Sequence, residues 1–258
     1  MIEHYWVLST GRCATVTLTR LFQLCPTANS YHEVAPRLFG IGRDAYKYYN
    51  NNKETDKIRK KFLEKRRALF KKAEAEEKKY IEVGPHVTFL PYIINSIFPD
   101  SKFIHLIRNP EDVIISGLNR DAYINDSSDK LRIRPRLESE HFKDWEKYTQ
   151  LQKLSWFWMT TNQWISDFMR TLPNERKLLI HSEDIFENNK DVINNIFKFV
   201  GLPKPNKVDI NNILNKKLNA TTNKKVKILT DDEFKIMKSF VNSIANNLEE
   251  MYNGNRRC

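Results

Sequence analysis

Cysteine is scarce in this chain. Three occur in 258 residues, Cys13, Cys25 and Cys258, with no CxxC pair and no metal-ligand spacing. That excludes a disulfide framework and points to a reducing compartment. No run approaches the roughly 18 to 20 consecutive apolar residues of a membrane span. The opening "MIEHYWVLSTG" lacks the basic region, apolar stretch and small-residue cleavage site of a secretory signal, so a cytoplasmic protein is expected. No internal repeat and no Gly/Ser-rich linker divides the sequence, and one domain over residues 1–258 is expected.

What is present describes a folded protein with an anionic partner. Hydrophobic residues make up 40% and aromatic residues 12%, enough to bury a core. The net charge of +11 suits a nucleic acid, a membrane surface, a nucleotide or an acidic substrate, and charge alone does not choose among them.

Five short stretches read as buried parallel strands: "YWVLS" (5–9), "NSYHEV" (29–34), "YIEVG" (80–84), "KFIHLI" (102–107) and "KLLIH" (177–181). Each is rich in β-branched or aromatic residues and is separated from the next by helical pattern. The alternation predicts an α/β fold, a central, mainly parallel five-stranded sheet flanked by helices.

Residues 51–79 form a charged helical segment in which Lys and Arg outnumber acids about two to one, with Ile58, Phe62, Leu63, Leu69 and Phe70 as a thin apolar stripe. It reads as a solvated helix over the core, or as a basic lid or docking surface for an acidic acceptor. Residues 141–172 carry four of the five Trp residues, which suits core packing, with one or two available to stack on a purine or acceptor ring. The C-terminal third is helical again, with a segment that starts at a Thr230 cap.

The chemistry begins at "VLSTGRCATVTLTRLF" (7–22), a strand that turns into a helix. Such a turn leaves the first helical N–H groups unpaired at the positive end of the helix dipole, a seat for a phosphate or sulfate. The phosphate loop GxxxxGK[ST] is absent, and no downstream Asp ends a strand as a magnesium holder would, so a kinase or NTPase of P-loop type fits poorly. What remains is a cation, Arg12, a flexible Gly11 and the hydroxyl of Thr15, which can hold a doubly charged anion without a metal.

A second site follows the fourth strand. "KFIHLIRNPEDVIISGLNR" (102–120) ends its strand at Arg108 and turns through Asn109 and Pro110 into a helix. Pro110 suits the first helical turn, and Glu111 and Asp112 suit the positive helix end. Ser116 lies about two turns into that helix, placed to meet Arg108 at an anion. A strand-end Arg is where open α/β sheets contact ligands.

These two segments resemble the sulfotransferases that use 3'-phosphoadenosine-5'-phosphosulfate (PAPS). That family holds the 5'-phosphosulfate with a loop of the form [K/R]-S-G-T-T, and "RCATVT" (12–17) stands in its place here. It binds the 3'-phosphate through R-[ND]-P-x-D-x-x-x-S, which "RNPEDVIIS" (108–116) matches at every named position. "LLIHSEDIFENNKDVINNIFKFVGLP" (178–203) and "LNATTNKKVKILTDDE" (218–233) are similar to later family segments, in the same order. There are departures. Cys13 replaces a Ser and reads as a small packed residue, Ala14 replaces a Gly, and the signature of the animal cytosolic branch and the anchor of the Golgi branch are both missing. The resemblance is to soluble, bacterial-type members.

The resemblance implies in-line transfer of a sulfuryl group from PAPS to a hydroxyl or amine, with 3',5'-adenosine bisphosphate (PAP) as product and no metal. Gly11, Arg12, Cys13, Ala14, Thr15, Val16 and Thr17 would hold the 5' end, Arg12 stabilising charge on the leaving oxygen. Arg108 and Ser116 would hold the 3'-phosphate, with Lys224 or Lys225 as further contacts or as ordinary solvated lysines. For the general base it offers Glu82 or His86, four residues apart in "YIEVGPHVTFL" (80–90), and favours Glu82. The expected partner is a small-molecule or saccharide acceptor, with no nucleic acid and no membrane span, and a homodimer stays open. The competing readings are a nucleotide kinase or NTPase and a basic nucleic-acid-binding protein.

Overall fold

A computed structural model describes residues 2–124, 127, 129–215 and 228–253, the side chains of residues 243 and 245–253 excepted. Its strands are β1 (His4–Leu8), β2 (Ala28–His32), β3 (Lys79–Val83), β4 (Lys102–Ile107) and β5 (Lys177–His181), each within a few residues of the stretch expected for it. They form one sheet in the order β2-β3-β1-β4-β5, parallel throughout. The helices are α1 (Thr15–Gln23), α2 (Phe39–Lys47), α3 (Asn52–Ala75), α4 (Pro91–Ile97), α5 (Pro110–Leu118), α6 (Gln150–Arg170), α7 (Ser182–Phe186), α8 (Lys190–Val200), α9 (Lys207–Leu214) and α10 (Asp231–Asn253). No described helix is long and apolar enough to cross a membrane.

Alternation along the strands sorts the core into two layers. Tyr5, Val7, Ile81, Val83, Ile104 and Leu106 face α1, α5 and α8. Trp6, Leu8, Tyr80 and Phe103 face α3, α4 and the second half of α6. Trp145, Trp156 and Trp164 pack with Tyr46 and Phe89 in a third cluster, and Trp158 joins the first. All four indoles of the Trp-rich segment are buried, so packing accounts for them and the stacking role is not needed.

Period two also decides the fate of Glu82. It shares a face with Tyr80, under α3 rather than α1. There α3, capped by Asn51 on the N–H of Glu54 at 3.1 Å, lays Ile58, Phe62, Arg66 and Ala73 on the sheet. Arg66 and Glu82, with side chains 0% and 1% exposed, meet in a two-pronged ion pair at 2.6 and 2.8 Å. The Tyr80 hydroxyl adds a bond to the same carboxylate at 2.6 Å, and Arg66 also donates to the carbonyl of Pro36 at 2.7 Å. Burial opposes the Arg66 charge, but the bonds to Glu82 outweigh it and hold its pKa above the ordinary value. The basic residues of α3 line its outer face, and its apolar stripe runs through Arg66.

A buried pair is costly to break and cheap to replace, because a lone buried charge keeps the desolvation penalty without the attraction. Arg66→Ala is therefore expected to destabilise the fold by about 3–5 kcal/mol, lowering Tm by roughly 6–20 °C in a chain of this size. The double variant Arg66→Met/Glu82→Leu should recover most of that loss, and calorimetry of the three proteins checks it.

Candidate active site

β1 lies at the centre of the sheet, and the chain leaves it toward β2 and β3 on one side before crossing to β4 and β5 on the other. Such a reversal opens a crevice at the carboxyl ends of the strands. The turn from β1 to α1 sits in it. Gly11, Arg12 and Ala14 all take left-handed backbone conformations, with φ of 82°, 61° and 56°. Residues of this kind aim neighbouring N–H groups into one concavity. Ala14 occupies the N-cap and has no side-chain oxygen, so the N–H groups at the start of α1 (Thr15, Val16, Thr17) are left for an outside acceptor. A Cβ in this conformation costs about 1–2 kcal/mol, and the turn carries two such residues.

The turn is held from behind. Thr88 Oγ1 accepts from the Ser9 N–H at 2.9 Å and donates to the Ser9 carbonyl at 2.8 Å. Ser9 Oγ takes the Gly11 N–H at 3.2 Å. Cys13 is fully buried, its thiol bonded to the Gly11 carbonyl at 3.0 Å and beside Thr10 Oγ1 at 3.2 Å. Burial pushes that thiol up to about 12, which suits packing and not nucleophilic chemistry.

Arg12, Arg108 and Ser116 form one connected group. Arg12 Nε donates to Ser116 Oγ at 2.9 Å, and Arg108 Nη1 donates to the Arg12 carbonyl at 2.8 Å. Arg108 is also paired with Asp112 at 3.1 Å and lies over the ring of Phe186. Trp158 Nε1 fixes its carbonyl at 3.0 Å. The following turn is built as the residues suggest, with Asn109 capping α5 through the Glu111 N–H at 2.9 Å and its own N–H held by Glu183 at 2.9 Å. Burial first, then repulsion from Arg120 and Arg108, lowers the pKa of Arg12. An anion placed among these guanidiniums relieves that repulsion.

On the other side of the turn the residues expected to supply a base fare differently. Glu82 is committed to Arg66 and Tyr80 under α3, with both oxygens bonded, so it is not placed to receive a proton from an acceptor. His86 lies near the turn, its Nε2 3.6 Å from Glu33 Oε2 and its ring edge-on to Phe39 at 4.5 Å. Burial pushes it down to about 4, and its Nδ1 is buried with no hydrogen-bond partner among the described residues. His105 is a core residue bonded to Asn162 at 2.9 Å. Lys224 and Lys225 lie outside the described residues.

Sequence reasoning passed over two neighbours of His86. His32 closes β2, and its Nε2 shares a hydrogen bond with Thr15 Oγ1 at 3.0 Å. Glu33 follows in a left-handed conformation, φ 46°, 4.0 Å from His32 and facing His86. The available signal was a His-Glu pair at the carboxyl end of a strand. Gly84 lies beside them with φ at 136°, a backbone conformation that L side chains rarely adopt. Among the described residues no three His, Cys, Asp or Glu side chains group as metal ligands.

A parallel sheet with an uncapped helix start at the end of its first strand and a second Arg at the end of an adjacent strand has the arrangement of α/β domains that bind an anionic group there. Comparison with known proteins makes the class specific. The sulfotransferase domain model matches residues 3–250, and the chain belongs to that family and is a sulfotransferase. In fold it is similar to the sulfotransferase from Alicyclobacillus acidocaldarius (14% identity, TM-score 0.58, 98% of this chain and 96% of that one). It is similar likewise to the sulfotransferase domain from the curacin biosynthetic pathway (16% identity, TM-score 0.56, 93% and 97%) and to that of the Synechococcus PCC 7002 olefin synthase (14% identity, TM-score 0.51, 93% and 94%). No curated protein matches by sequence. The kinase and nucleic-acid readings are not favoured.

The buried imidazoles set an acid limit on the fold. Burial pushes His86 and His105 down to about 4, below the ordinary 6.5. A depressed folded pKa means stability that is complete above about pH 6.5 and is lost as pH falls toward 4, up to about 3 kcal/mol for each group. Tm should be flat from pH 7 to 8 and fall steadily below pH 6.5; a flat profile down to pH 4 would contradict this assignment.

Proposed function

We propose that this sulfotransferase takes its sulfuryl group from PAPS and delivers it to a hydroxyl or amine of a small-molecule or saccharide acceptor. The observation that carries the reading is the linked group of Arg12, Arg108 and Ser116 beside the uncapped start of α1. Its residues fit a nucleotide charged at both ends. The N–H groups of Thr15, Val16 and Thr17 with Arg12 would hold the 5' side, and Arg108 with Ser116 the 3'-phosphate. Lys224 and Lys225 join this reading through the family resemblance alone. When bound, PAPS supplies an activated sulfuryl group on a phosphate leaving group. The protein's part is to orient it and to hold charge on the leaving oxygen, as in phosphoryl transfer. Glu82 being committed elsewhere, proton abstraction falls to the imidazole side of the turn, where His32 and His86 stand. Free, buried Cys13 and Cys25 support the reducing, cytoplasmic setting expected of the chain.

The test is thermal shift. PAP at a hundred times its Kd should stabilise the fold by about 2.7 kcal/mol, raising Tm by roughly 5–11 °C without Mg²⁺. ATP should do much less and DNA nothing; a larger effect of ATP with Mg²⁺ would overturn the reading. Arg108→Ala should weaken PAP by about 1.5–3 kcal/mol while leaving affinity for adenosine 5'-phosphosulfate, which lacks the 3'-phosphate, nearly unchanged. Labelled PAPS offered to an acceptor library, with mass detection, identifies the acceptor.

A further inference from the structure

We propose that His32 is the group that takes the acceptor's proton, with Glu33 as its counter-charge and His86 as the residue that positions Glu33. The assignment rests on the sulfuryl-transfer reading above and refines its acceptor side.

Three observations separate the two imidazoles. The first is reach. His32 Nε2 is 3.0 Å from Thr15 Oγ1, on the residue that opens α1 at the anion turn, whereas His86 Nε2 faces Glu33. The second is access: the His32 side chain is 24% exposed and that of Glu33 32%, against 3% for His86. An acceptor arriving from solvent meets His32 first. The third is strain. Glu33 keeps a left-handed backbone at φ 46° that brings its carboxylate between the two rings, 4.0 Å from one and 3.6 Å from the other. Backbone strain of this sort persists where surrounding structure demands it, and it gathers at functional sites. Here that structure includes Arg66, which holds the Pro36 carbonyl three residues on.

The proton inventory follows. In the resting site His32 Nε2 shares a hydrogen bond with the Thr15 hydroxyl, and the Nδ1–H tautomer carries a lone pair on that nitrogen. On reaction the acceptor's O–H bond breaks and its proton passes to that lone pair. The acceptor oxygen forms its bond to sulfur as the bond between sulfur and the donor's phosphate oxygen breaks. The imidazolium sits beside the Glu33 carboxylate and returns the proton to solvent. Burial lowers the pKa of His32 and Glu33 raises it, so the ring is neutral and able to accept at physiological pH. The other charges that face this cluster are Arg12, on Glu33, and Arg37 and Arg66, on His86. Both of the latter disfavour a charged His86, which keeps it neutral behind Glu33.

The full-length protein labelled with ¹⁵N-histidine, free and with PAP, tests the coupling by NMR titration of each ring. His32 should titrate at a higher pH than His86, and Glu33→Gln should move the His32 midpoint down by about one pH unit. An unchanged midpoint in Glu33→Gln overturns the assignment. Turnover gives a second readout through PAP release with water as acceptor. His32→Gln should lower that rate about 10²–10⁴-fold while keeping the thermal shift with PAP, and His86→Gln should lower it less. A His32→Gln protein that keeps the wild-type rate overturns the proposal. Failure of the wild-type protein to bind PAP would instead count against the donor reading, because the PAP-free titration still reports the coupling of His32 to Glu33.

Discussion

A guanidinium and a carboxylate that see almost no water tie together the sheet, the long charged helix and the segment after β2. Arg66 reaches from α3 to both oxygens of Glu82 on β3 and, with its remaining nitrogen, to the Pro36 carbonyl in the segment after β2. Three parts of the chain meet at one side chain: the long charged helix, the sheet and the segment that follows His32 and carries Glu33. A buried pair adds little net stability but makes its alternatives expensive, so it fixes geometry. This is also why the carboxylate best placed by sequence to act as a base is structural. Its neutralising partner is sixteen residues away in α3, on the face that strand alternation assigns to it.

The turn after β1 is organised on the opposite principle, with guanidiniums of like charge brought close together. Arg12, just past β1, feels the like charges of Arg120 and Arg108, and the hydrogen bonds from Arg12 to Ser116 and from Arg108 to the Arg12 carbonyl keep Arg12 and Arg108 in range. Left-handed backbone at Arg12 and Ala14 turns N–H groups to the same place. An anion satisfies both. The two anion sites read separately along the sequence are a single continuous surface in space, which suits a nucleotide with phosphates at both ends of its ribose. Trp158 supports this surface from α6 by holding the Arg108 carbonyl.

Much of the architecture was legible in advance. Each strand was a short run of β-branched and aromatic residues, and parallel strands buried on both faces have that composition in any context. The turn after β1 and the Arg-Asn-Pro segment after β4 were legible for a similar reason. Their roles depend on backbone N–H groups, a cap and a strand-end charge, all set within a few residues of chain. Less was legible where a role depends on a distant partner. Glu82 looked like a free carboxylate because nothing near it in sequence announced Arg66. His32 looked like an ordinary strand residue because Thr15, Glu33 and His86 come together only when α1, β2 and β3 are packed.

Periodicity, caps and turns are local physics, so the class of fold, the turn after β1 and the strand-end arginine could be read from neighbouring residues. Which ionisable groups are buried in pairs and which stay partly exposed followed only from packing. Burial and pairing are properties of the space around a side chain, and that space is built by residues far along the chain.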